Sequence, residues 1–170
     1  MTNFVGLKQG SDLTDVLKLF PRNSEMLIRL LDGIMCSEGE LSRGEREAIA
    51  AFISTHNTTP YCTFYHSLFA EVFAGPIEEI NERIEPLLTY ALSLRARNSD
   101  EIARTSKAAM DAGWSEGAVY EVVEVCGIFD FINTIVLAAG LEVPDGPMDS
   151  GLTLEGLERF YSDTADVLAT

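Results

Sequence analysis

The stretch HNTTPYCTFYH, residues 56–66, gathers both histidines and one of the three cysteines of this chain. Cys62 and His66 are spaced i,i+4, so on a helix they share one face. Thr59-Pro60 is a helix-start signal, with Thr59 as N-cap and Pro60 at the first helical position. Cys62 then sits in the first turn, among unpaired N–H groups at the positive end of the helix dipole. Both effects favour thiolate, so the pattern predicts a lowered pKa for Cys62. His66 is placed to share its proton, the arrangement that activates a nucleophilic sulfur. Upstream, Glu47 shares a helix face with Ala50, Ala51 and Ser54. These small residues let a second helix approach, and the short turn NTT makes the two helices antiparallel neighbours. Glu47 can then reach His66 and orient it, giving the chain Glu47, His66, Cys62. Against this stands a plainer reading: a Cys in an apolar helix is usually a small core residue. Likewise, a lone Glu on a helix is usually solvated.

The remaining reactive residue types carry less. Cys36 and Cys126 have no His neighbour and read as packing residues. Asp130 and Asn133 interrupt the most apolar segment, VCGIFDFINTIVLAAGL, and if buried must be paired. Trp114 and the set Phe64, Tyr65, Phe69 and Phe73 read as core or subunit interface. Two histidines and one thiol at these spacings match no closed zinc pattern, so no metal site is expected. With no Gly-rich phosphate loop or nucleotide fingerprint, no tightly bound organic cofactor is expected either.

The elements that must position these residues are helical. Long 3.6-period segments are separated by Pro and Gly, and strand-like alternation is absent. A short helix is expected over about 12–20 and a second over 24–35, with Met26, Leu27, Leu30, Leu31 and Ile34 as its apolar stripe. SRGE opens a third helix with a capping box, Ser42 with Glu45, running to about His56. The fourth starts at Pro60 and ends at Gly75. PIEEINERI is interrupted at Pro86, another helix follows NSDE over about 99–112, and Ser115 starts the longest, ended by Gly140. A linker over 144–152 leads to a terminal amphipathic helix capped by Thr153. The expected architecture is all-α, one domain over 1–170, with seven or eight helices.

Composition narrows the partners. With 170 residues and 46% hydrophobic content the chain can build one proper core. Its 12 basic against 27 acidic residues give a net charge of -15. That excludes the basic footprint of a nucleic-acid binder and of a protein held on anionic lipid. The N-terminus lacks a basic head and an apolar run, and the apolar segment reads as too short to span a bilayer. An odd, low cysteine count without an export signal fits free thiols in a cytoplasmic setting.

The stretch LSRGEREAIAAFISTHNTTPYCTFYH resembles the signature region of the alkylhydroperoxidase AhpD-like, carboxymuconolactone decarboxylase family, in its peroxidase-related branch. FDFINTIVLAAGLEVP and FPRNSEMLIRLL are similar to later and earlier parts of that branch, so the resemblance covers about residues 20–144. It implies an AhpD-like helical bundle and assembly into a homo-oligomer, a dimer, trimer or hexamer. It also implies roles: Cys62 matches the peroxide-reacting cysteine, His66 the motif histidine, and Glu47 the glutamate of the proton relay. Two positions depart. The first, resolving cysteine is Thr59 here, and the basic residue expected after Asn133 is Thr134. Without the first cysteine, a sulfenic acid on Cys62 has no partner inside its own motif.

Three functions compete at this level. One is thiol-dependent reduction of a hydroperoxide by a single Cys62, activated by Glu47 and His66 and regenerated by an external thiol. A second is acid–base chemistry, decarboxylase- or isomerase-like, by Glu47 and His66 on a small organic acid, with Cys62 a bystander. For that substrate Arg43 and Arg46 are the only cations near the motif in sequence. The third is a non-catalytic helical oligomer.

Overall fold

The computed structural model describes residues 2–144 and 154–169, and the regular elements among them are all helical. They are α1 (Leu13–Leu19), a 3-10 turn (Pro21–Asn23), α2 (Ser24–Cys36), α3 (Arg43–His56), α4 (Pro60–Ala74), α5 (Ile77–Arg83), α6 (Glu85–Ala96), α7 (Ser99–Asp111), α8 (Glu116–Ala139), α9 (Leu154–Glu158) and α10 (Phe160–Leu168). Ten α-helices among the described residues exceed the expected seven or eight. Pro86 cannot donate a backbone hydrogen bond and crowds the carbonyl one turn before it, so α5 and α6 separate at Ile84. The terminal helix breaks at Arg159, where the Arg43 guanidinium takes the carbonyls of Leu157 and Glu158. The Thr153 cap and most of the expected linker lie outside the described residues.

α3 and α8 form the centre. Gly44 through Ala51, then Ile53 and Ser54, are buried on α3, and α8 contributes Val122, Val125, Phe129, Ile132 and Val136. α4 runs back along α3, while α2 and α10 close one side and α6 and α7 the other. α2 buries Leu27, Ile28, Leu31 and Met35 and leaves Met26 and Leu30 outside. Its inward face is therefore rotated from the stripe expected, because Ile28 and Met35 point to the core in place of Met26 and Leu30.

α8 corrects another expectation. It is long and apolar enough to cross a membrane by length and composition alone, with mean hydropathy 1.9 over its most apolar window. Half of that window is buried inside the bundle, as in the core helix of a packed domain. Asp130 interrupts the apolar run without interrupting the helix, because it finds a partner. Asn57 Nδ2 donates to Asp130 Oδ1 (2.9 Å), and Arg95 Nε donates to Asn57 Oδ1 (2.7 Å). Ser54 Oγ donates to Asn133 Oδ1 (3.1 Å), while the buried Nδ2 of Asn133 has no partner among the described residues.

Candidate functional site

The site is built on the α3–α4 pair. The capping box forms as read: Ser42 Oγ accepts from Glu45 N (3.3 Å) and Glu45 Oε2 accepts from Ser42 N (2.8 Å). This start sets the register that turns Glu47 into the core, where it is 0% exposed. At the same end the helices touch closely, since a Cβ on Gly44 would stand 2.3 Å from that of Ala74. α4 then stops at Gly75, whose φ of 89° suits glycine. At the other end three residues reverse the chain, with Thr58 in the left-handed region at φ 57°. Thr59 is buried, and its hydroxyl bonds the Asn57 carbonyl (3.3 Å) rather than capping α4. The helix start therefore rests on backbone conformation and Pro60, not on a side-chain cap as expected.

Antiparallel pairing brings Glu47 Oε2 to 2.7 Å from His66 Nδ1, both buried. A carboxylate only accepts, so Nδ1–H is the donor, and in the neutral imidazole Nε2 keeps its lone pair. Nε2 makes no hydrogen bond among the described residues. The imidazole plane is fixed edge-to-face by Phe129 (4.5 Å between centroids) and Phe69 (5.7 Å).

Two further residues, neither of them singled out as a site residue by sequence, complete the Glu47 environment. Tyr161 on α10 donates its phenol O–H to Glu47 Oε1 (3.0 Å) and Oε2 (3.2 Å). Burial and the adjoining carboxylate hold that phenol well above the usual tyrosine pKa, so it stays a donor. Arg43, one turn before Glu47, places Nε 3.6 Å from Oε1. Its other nitrogens donate to the carbonyls of Leu157 (2.7 Å) and Glu158 (3.1 Å), and its guanidinium lies over the Phe73 ring at 4.2 Å. A buried carboxylate is tolerable only with such partners. Nothing local in the sequence announces Tyr161, which reaches Glu47 across 114 positions.

His66, Cys62 and Tyr161 line a cavity of about 180 Å³, floored by Ile28, Leu31 and Ile132. Its mouth is formed by Asp12, Thr14, Tyr65, Phe160 and Thr164. Cys62 departs from expectation here. It is 2% exposed, and desolvation pushes its thiol up to about 12. The helix start does not offset that burial, and no sulfur–nitrogen hydrogen bond joins Cys62 to His66 among the described residues. Cys36 and Cys126 are also free thiols pushed up to about 12 by burial. Neither Arg43 nor Arg46 lines the cavity. Arg46 is buried against Glu121 (2.8 Å) and the Ser37 carbonyl (2.7 Å). Among the described residues no group of three His, Cys, Asp or Glu side chains could hold a metal ion.

No family model matches the chain, and no curated protein matches it. Among solved structures the chain is similar to an uncharacterized peroxidase-related protein from Silicibacter sp. TM1040. The TM-score is 0.67 at 20% identity, covering 78% of this chain and 76% of that one. At this identity the likeness is one of fold: the chain is an all-helical bundle of the kind a peroxidase-related protein adopts.

Proposed function

We propose that this protein is an acid–base enzyme, isomerase- or decarboxylase-like, in which His66 moves a proton on a small molecule and Glu47 supports it. The observation that carries this reading is the buried 2.7 Å bond between Glu47 Oε2 and His66 Nδ1, on a ring that lines a cavity. Glu47 fixes the tautomer that presents Nε2 as a base and stabilises the imidazolium formed when that base is used. In the step, Nε2 takes a proton from a carbon next to a carbonyl, and the C–H electron pair moves into the carbonyl to give an enolate. The imidazolium then returns a proton to the same carbon or to its allylic neighbour. Cys62, kept neutral by burial, takes no part as a nucleophile.

The test is deuterium uptake from D2O into a panel of small ketones, aldehydes and keto acids, followed by NMR. Uptake in the native protein that falls by about 10²- to 10⁴-fold in His66→Ala is the expected result. Uptake unchanged in that variant, or absent from the native protein across the panel, would sink the reading.

A second reading is kept because Cys62 lines the same cavity as His66 and the fold resembles that of a peroxidase-related protein. There Cys62 attacks the O–O bond of a hydroperoxide. The thiol proton passes by way of His66 to the leaving alkoxide, giving an alcohol and a sulfenic acid, and two external thiols reduce the sulfenic acid to thiol and water as they join in a disulfide. Trapping the sulfenic acid after peroxide treatment, and mapping it by peptide mass, decides this case. Under either reading we expect a homo-oligomer in the cytoplasm. Support for assembly comes from the exposed apolar residues Phe131 and Leu137 on α8 and Met26 and Leu30 on α2.

A further inference from the structure

The charge of the cavity bears on what can enter it. Its walls are aliphatic and aromatic, from Leu13, Leu17, Ile28, Leu31, Phe69 and Ile132, and no Lys or Arg is among its lining residues. The two nearby candidates for a cation are committed elsewhere. Arg43 is held by the Leu157 and Glu158 carbonyls and faces Glu47, and Arg46 is locked to Glu121. The carboxylate among the lining residues is that of Asp12, at the mouth, while Glu47 lies behind His66 and off the wall. An anion entering a space of this kind loses its hydration and gains no lysine or arginine counter-charge, while passing the Asp12 carboxylate at the mouth. Of the other polar groups lining it, Tyr161 donates to Glu47, Thr164 donates to the Phe160 carbonyl and Tyr61 accepts from Leu13 N; the hydroxyls of Thr14 and Tyr65, the thiol of Cys62 and the imidazole of His66 complete the lining.

We infer that the cavity selects an uncharged, largely apolar carbonyl compound and rejects carboxylates. This deepens the acid–base reading, on which it rests, and narrows it from decarboxylation to isomerisation or proton exchange, since a decarboxylase must admit a carboxylate. A flat or compact hydrocarbon body packs against Leu17, Ile28, Leu31 and Ile132, with its single carbonyl directed to the His66 end. The Cys62 thiol, one turn from His66 on α4, is a neutral donor for a carbonyl oxygen on which negative charge develops only during proton transfer.

The test is binding, measured independently of turnover. Acetophenone and benzoate are nearly equal in size and differ in charge. Titrated into the full chain at neutral pH by NMR, acetophenone is expected to bind at least tenfold more tightly than benzoate. Its shift changes should map to α4 and α10. Thr164→Trp, filling the mouth, should weaken acetophenone at least tenfold. Thr164→Lys, adding a cation there, should raise benzoate affinity at least tenfold. Equal or tighter benzoate binding to the native protein overturns the inference, as does binding of neither probe or indifference of acetophenone to Thr164→Trp. If acetophenone binds as described yet no ketone exchanges deuterium, the proton-transfer reading fails while the ligand class stands. If keto acids exchange and bind best, the ligand class fails while proton transfer stands.

Discussion

One turn of α4 separates Cys62 from His66, both line the same cavity, and burial treats the two side chains in opposite ways. Around His66 the Nδ1 side is fully partnered. Glu47 binds Nδ1, Tyr161 binds Glu47, and Arg43 stands opposite the carboxylate. Around Cys62 no charge or donor stabilises a thiolate, and desolvation alone decides its state. The same low-dielectric environment strengthens a hydrogen-bonded pair that has partners and neutralises a group that lacks them. The polar partners in this site are therefore gathered around Glu47 and His66, and the thiol is left without them.

The sharpest way to break the contrast is through chemistry. His66→Ala and Glu47→Gln should each lower deuterium exchange by about 10²-fold or more, whereas Cys62→Ala should keep it within a few-fold. Loss of exchange in Cys62→Ala would reverse the comparison. Next is thiol reactivity. A thiol held at about 12 is about 10⁻⁴ ionised at pH 8, so iodoacetamide should modify Cys62 of the folded protein about 10³ times more slowly than a free cysteine. Peptide mass mapping against the urea-unfolded protein measures this, and fast labelling of Cys62 in the native state would restore it as a nucleophile.

Stability resolves the two sides further. Tyr161→Phe leaves Glu47 buried without its hydroxyl donor and should cost about 1–3 kcal/mol in urea unfolding at pH 7. A cost near zero would show that water replaces the phenol. The smallest effect concerns pH. Cys62 has a folded pKa raised above its unfolded one, so its contribution is fully present below about 9 and is lost as pH rises towards 12. Cys62→Ala should therefore lose less stability than the native protein between pH 9 and 11, by urea titration at each pH. A parallel decline in both proteins would mean that the thiol is not held neutral.

Much of this was legible before any coordinates. Ser42 with Glu45, Pro60 and Gly75 are local signals with local physical causes, and they fixed where α3 and α4 begin and α4 ends. Small residues beside Glu47, followed by a three-residue turn, were enough to place that carboxylate on His66. What failed was burial. The prediction for Cys62 weighed a helix terminus, a local feature, without the tertiary packing that outweighs it. The inward face of α2 failed similarly, because apolar residues cover more of that helix than its neighbours can bury. Tyr161 was illegible for another reason: a tyrosine in a terminal amphipathic helix carries no mark of a carboxylate far away in the chain.

That distance has a consequence for how the site comes into being. Glu47 and His66 are 19 positions apart and meet as soon as one helical hairpin closes, whereas the Tyr161 hydroxyl is 114 positions from the carboxylate it serves. Closing the longer loop costs more chain entropy, and it waits on a segment that leaves the ribosome much later. Until α10 docks, the Glu47 carboxylate must keep water as its partner. Biosynthesis thus passes through a stage in which the Glu47–His66 pair is already joined but still wet, and the C-terminal helix is the element that dries it.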